Sequence, residues 1–177
     1  MDNQKEKSKK ASRIILIGCL SPILFIIIIG IVVASCTNNK KEVNYSKLNN
    51  ENLTAAINNS VGDTGHDNKK RVIKTKVDSS NYVMLRLNAD ASTDAKKILY
   101  DTNDVMKELK KFKNAKQITI WWYETAIDDK GNKSEIPVVK VSMDRDSMDD
   151  IDFENFPIES YGKYSKDYFV HPSWSIK

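Results

Sequence analysis

Between Arg13 and Lys40 the chain carries no charged residue, and the twenty positions Ile14–Val33 read IILIGCLSPILFIIIIGIVV, fifteen of them Ile, Leu, Val or Phe. At ~1.5 Å rise per residue a helix of this length covers ~30 Å, the thickness of the hydrocarbon core of a bilayer. Fifteen such residues supply roughly 5–9 kcal/mol of insertion free energy as an upper bound. Gly18, Ser21, Pro22 and Gly30 reduce that sum without cancelling it. The run therefore predicts a membrane anchor and divides the chain into a basic head (1–13), an anchor (14–36), a polar tether (37–50) and a domain (51–177).

Charge fixes the expected orientation. The head holds Lys5, Lys7, Lys9, Lys10 and Arg13, and only Lys40 and Lys41 follow the run closely. Positive flanks stay in the cytoplasm, so the head is expected inside and the rest of the chain outside. Residues 37–177 hold 23 basic against 22 acidic side chains, so most of the net charge of +4 comes from the head. A near-neutral domain lacks the basic surface that nucleic-acid binding needs, and no nucleic-acid partner is expected.

The run ends at Val33-Ala34-Ser35-Cys36. These four residues resemble the lipobox of bacterial lipoproteins, in which a small residue precedes a cysteine that is acylated on sulfur before the signal is cut off. That resemblance implies a lipid on Cys36, whereas the length of the run favours an uncleaved single span over a signal, whose apolar region has ~7–15 residues. Both readings expect a cell-membrane location with the domain outside. Cys19 and Cys36 are the only cysteines, so the domain forms no internal disulfide and no thiolate metal site.

Within the domain, periodicity predicts a short helix over 51–59, with Leu53, Ala56 and Ile57 on one face, and a loop over 61–70. Arg71–Val77 and Tyr82–Leu87 read as a hairpin around Asp78–Asn81. The strongest helix signal runs from about Ser92 to Lys113, with Asp90 or Ser92 as its cap. Gln117–Ile127 and Ile136–Met143 read as a second hairpin around the DDKGNK turn. A short helix is expected within Asp144–Phe156, and the aromatic tail, with Tyr164, Tyr168, Phe169 and Trp174, is expected to pack back on the domain. The implied fold is α+β: a two-layer sandwich with a mostly antiparallel sheet of about four strands and helices on one face.

Chemistry is sparse. His66 with Asp63 and Asp67 reads as a solvated loop rather than a metal site, His171 as a packing residue among the C-terminal aromatics, and the segment Asp144–Glu154 fails the EF-hand pattern because Met148 stands where an oxygen ligand is wanted. No nucleophile motif and no phosphate-binding glycine loop is present, so no catalysis, cofactor or metal is expected. The aromatic strand is the most informative remainder. Trp121 and Tyr123 share the face opposite Trp122 and form a candidate binding patch if nothing covers them; cover by Tyr168, Phe169 and Trp174 is the favoured alternative.

The stretches VMLRLNAD, ITIWWYETAIDDKGNKSEIPVVKVSM and YFVHPSW, behind an anchor and a tether, resemble small exported proteins of Gram-positive bacteria that carry no assigned activity. The excess of Lys over Arg, 24 to 4, agrees with a low-GC source. The resemblance implies location and no site residues. The expectation is a membrane-anchored extracytoplasmic binding or interaction module, with the membrane and another envelope protein as partners. The alternatives are a lipoprotein that binds a small ligand or cation, and an accessory subunit of an envelope or conjugation machine.

Overall fold

Alternating apolar residues on three central strands set the architecture. The computed structural model describes residues 40–90 and 94–174, which belong to one unit beginning at Lys40. The apolar run Ile14–Val33 and Cys36 lie outside the described residues. Among the described residues no helix is long and apolar enough to cross a membrane.

The elements follow as helix α1 (Asn50–Val61), strands β1 (Val72–Val77) and β2 (Tyr82–Asn88), helix α2 (Ala95–Leu109), strands β3 (Gln117–Ile127) and β4 (Lys133–Asp144), short helices α3 (Arg145–Asp150) and α4 (Tyr161–Tyr164), and strand β5 (Asp167–Val170). The strands form one sheet in the order β1-β2-β3-β4-β5. Pairing is antiparallel except between β2 and β3, which run parallel with Tyr82 opposite Gln117 and Asn88 opposite Tyr123.

The sheet is mostly antiparallel, as expected, but it has five strands rather than about four, and its β2–β3 pairing is parallel. Both predicted hairpins form, but the long helix lies between them in sequence. Placing two hairpins side by side with a helix between them requires a crossover, and a crossover of that length joins parallel neighbours. The fifth strand comes from the aromatic tail, whose Asp167-Tyr168-Phe169-Val170 pairs with Ser142–Val139.

Local chemistry explains each boundary. Asn49 caps α1 by accepting the Asn52 N–H at 2.9 Å, and Gly62 at φ 80° ends it. α2 begins at Ala95, capped by Asp94, which accepts the Lys96 N–H at 2.8 Å, while the cap candidate Ser92 lies outside the described residues. In the first hairpin the Asp78 carboxylate accepts the N–H groups of Ser80 and Tyr82, with Asn81 at φ 63°. In the second, Asp128 accepts those of Lys130 and Asn132, with Gly131 at φ 82°. Residues such as Asn and Gly tolerate the left-handed region that these turns need.

One face of the sheet, carrying Leu85, Leu87, Ile118, Ile120, Trp122 and Val141, is fully buried against Leu53 and Ile57 of α1 and Ile98, Leu99 and Leu109 of α2. Several polar side chains in this core are hydrogen-bonded to one another. The Trp122 indole N–H donates to Thr102 Oγ1 at 2.9 Å, and the Tyr161 hydroxyl donates to Asn103 Oδ1 at 2.6 Å while Asn103 Nδ2 donates to the Phe156 carbonyl. This satisfies donors that would otherwise cost about 1–3 kcal/mol each.

The described part of the expected tether, residues 40–50, is fastened to the domain. The Lys41 N–H donates to Asn59 Oδ1, whose Nδ2 donates back to the Lys41 carbonyl. The Tyr45 ring packs 5.1 Å from that of Phe112, and its hydroxyl donates to Glu108 at 2.5 Å. Burial and the Glu108 carboxylate push the Tyr45 hydroxyl up to about 12.

Candidate functional site

The side chains opposite the core form a row across all five strands. Pairing sets Lys74 beside Arg86, Arg86 beside Trp121, Trp121 beside Lys140 and Lys140 beside Phe169. Neighbouring strands lie about 4.8 Å apart, so the row spans about 19 Å. A second row, one pleat away, runs Lys76, Met84, Thr119, Ser142 and Asp167.

Sequence reasoning singled out Trp121 and Tyr123, and the structure places both on this face, half-buried. Among the described residues no ring contact joins Tyr168, Phe169 or Trp174 to either of them. β5 extends the sheet sideways instead, sending Tyr168 to stack on Tyr161 with rings 6.4 Å apart and leaving Phe169 beside Lys140. Tyr82 and Met84 remain 49% exposed and Phe169 36%. What shields the two aromatic rings is charge: the Arg86 guanidinium sits 4.3 Å from the Tyr123 ring centre and the Lys140 ammonium 4.6 Å from that of Trp121. Each contact contributes about 0.5–1 kcal/mol at such exposure.

The bulge in β4 helps to aim Tyr123. Trp122 pairs with Val139 and Tyr123 with Pro137, so Val138 is an extra residue and Pro137 sits where no ladder N–H is required. Arg86 and Lys140 could not be assigned to this site from sequence, because only the register brings them over the rings.

The cations of the face differ in their partners. Lys140 is ion-paired with Asp167. Lys74, Lys76 and Arg86 have no carboxylate partner among the described residues, and Arg86 Nε is buried without a hydrogen-bond acceptor.

A second cluster lies at the carboxyl ends of β2 and β3. Arg71 is 1% exposed and donates to the carbonyls of Asn88 (2.6 Å), Thr64 (2.7 Å) and Val61 (3.2 Å) and to Asp90 (2.7 Å). Burial raises the Asp90 carboxyl, but hydrogen bonds from Lys97 and Arg71 outweigh it, and the net shift is downward. Burial raises Asp101 despite Lys97 at 3.3 Å. Burial also raises Glu124, whose Oε2 accepts the Thr125 N–H while Oε1 has no protein partner. The loop 62–70 closes over this end of the sheet, and Gly65 is required there because a Cβ would meet the Ala89 carbonyl oxygen at 2.9 Å. Sequence reasoning missed Arg71, which reads as the end of a lysine run.

The remaining sequence candidates are accounted for by neighbours. His66 Nε2 lies 3.4 Å from Asp67 Oδ1 in the loop, and His171 meets the Phe169 ring edge-on at 6.4 Å. Asp144 caps α3 through the Ser147 N–H, Asp149 pairs with Lys113 and Arg145, and Asp152 accepts from Glu154 and Asn155. Among the described residues no group of three His, Cys, Asp or Glu side chains is placed to hold a metal. A groove of about 530 Å³ runs between α2 and residues 153–159, lined by Tyr100, Asn103, Asp104, Lys107 and Glu159 among others.

The arrangement defines an α+β sandwich with one sheet face packed and the other presenting aromatic and cationic side chains. Compared with models of known protein families, with curated proteins and with solved structures, the chain matches none.

Proposed function

We propose that this chain is a membrane-anchored, extracytoplasmic binding or interaction module without catalysis of its own, and that its working surface is the open sheet face around Trp121 and Tyr123. The observation that carries this reading is the row of aromatic and cationic side chains on the sheet face opposite the core, with Trp121 and Tyr123 half-buried under Lys140 and Arg86 and with Tyr82, Met84 and Phe169 exposed, a face that includes residue types which dominate binding energy at interfaces. Its location rests on the run Ile14–Val33 and its basic flank, with Cys36 as the site of a lipid if the signal is cleaved.

The test places a photo-crosslinking amino acid at Thr119, on the open face, and in a second preparation at Lys96, on the helix layer. Irradiation in intact membranes of a low-GC Gram-positive host is expected to give a discrete adduct from position 119 that Trp121→Ser with Tyr123→Ser abolishes while Tm is retained. Adducts from position 96 alone would overturn the assignment. Protease added to protoplasts is expected to cut residues 40–174, and the intact mass separates a full-length span from a chain that begins at a lipid-bearing Cys36.

A further inference from the structure

The open face has a charge imbalance. Among the described residues three cations, Lys74, Lys76 and Arg86, stand without carboxylate partners at its β1–β2 end, while the carboxylates in register on this face, Glu135, Asp144 and Asp167, are ion-paired with Lys69, Lys166 and Lys140. The domain as a whole is near neutral, so this is a local concentration of positive charge rather than a general basic surface. The guanidinium of Arg86 lies over the Tyr123 ring at 4.3 Å, a contact that favours one placement of its fork before any partner arrives.

Interleaved with the cations lie the apolar side chains Met84, Trp121 and Phe169, with Met84 beside Lys76 and Lys140 between Trp121 and Phe169. A purely anionic polymer has no use for these apolar groups. The strand N–H groups are taken by ladder pairing, so this face offers no backbone cradle of the kind that binds phosphate.

We infer that the open face docks an acidic polypeptide segment of a partner protein, whose carboxylates meet Lys74, Lys76 and Arg86 and whose apolar side chains lie against Trp121 and Phe169. This rests on the reading of the sheet face as the working surface. An extended segment repeats its same-side residues about every 6.8 Å, so three or four such residues cover the row.

The test uses the full-length chain in a neutral detergent micelle with its tryptophans replaced by 5-fluorotryptophan, which gives three ¹⁹F resonances for the three tryptophans. Titration with poly-L-glutamate is expected to shift the Trp121 resonance and leave the buried Trp122 unmoved. A Glu–Tyr copolymer of equal length is expected to bind more tightly than poly-L-glutamate. Raising salt from about 0.1 to 0.5 M weakens both. Lys74→Glu with Lys76→Glu, two exposed positions that leave the core untouched, is expected to weaken binding about tenfold or more.

Tighter binding of polyphosphate, of phosphatidylglycerol vesicles or of an oligothymidylate at equal charge would overturn the inference, as would affinity indifferent to the two lysine reversals. If the crosslink from position 119 forms and the glutamate polymers fail, the face is a binding surface with a different partner. If that crosslink fails, both readings fall.

Discussion

Replacing Arg71 by Ala tests whether one buried cation holds the loop 62–70 on the sheet. The guanidinium serves four acceptors, of which three are backbone carbonyls, and only Asp90, whose side chain is 39% exposed, carries a charge. Deletion orphans the carbonyls of Asn88, Thr64 and Val61 and leaves a cavity beneath the Trp122 ring, which the guanidinium faces at 5.8 Å. Loss of a buried charged group from such a network costs about 3–5 kcal/mol, a large share of a typical 5–15 kcal/mol total. At ~2.1 cal/mol/K of unfolding entropy per residue, a domain of this size loses about 10–17 °C in Tm. Asp90→Ala is expected to cost far less, about 1–2 kcal/mol, because the cation keeps three acceptors and its exposed partner was already screened. Calorimetry on the two single variants and the double variant measures the coupling. Equal losses for the two single variants, or a loss below about 1 kcal/mol for Arg71→Ala, would refute the argument that backbone acceptors, not the ion pair, make Arg71 essential.

Other expectations follow from the packing and from one titration. Trp122→Phe removes the donor to Thr102 and part of a fully buried side chain, and is expected to lower stability by about 2–4 kcal/mol in denaturant melts. Asp144→Ala removes the cap of α3 and is expected to cost about 0.5–2 kcal/mol at pH 7. Hydrogen bonds from Ser147 and Lys166 hold the Asp144 carboxyl down to about 2 from an ordinary 3.8, so its contribution is full above pH 3.8 and fades as pH falls through 2. The difference in melting temperature between wild type and variant therefore closes over that interval, which a pH series of thermal melts checks.

Local pattern carried much of the fold. The alternation of Ile118, Ile120 and Trp122 against Thr119, Trp121 and Tyr123 states which face of β3 is buried, and the 3–4 spacing of Ile98, Leu99, Thr102, Val105, Met106 and Leu109 states the buried side of α2. Turn chemistry at Asp78 and Asp128 marks both hairpins. The parallel contact of β2 with β3 was invisible because a strand's partner is not encoded by its own alternation. β5 was missed because four residues among many aromatics give too short a period to read. For the candidate site, Trp121 and Tyr123 were legible as one face of a strand. Arg86 and Lys140 were not, since their nearness to those rings exists only through register across three strands. Arg71 escaped because its sequence neighbours Lys69 and Lys70 are surface cations, and nothing local distinguishes the one that turns inward.

The fastening of residues 40–49 decides how the domain responds to tension. A pull on the chain ahead of Lys40 acts first on the reciprocal Lys41–Asn59 pair and the Tyr45 contact with Phe112 and Glu108, which separate one after another rather than together. Peeling these ten residues releases about 35 Å of slack at ~3.5 Å each before any sheet ladder is strained. Under such a pull the segment therefore gives length before the sheet does, so its contacts and those of the sheet are expected to break at separate points of a force–extension curve.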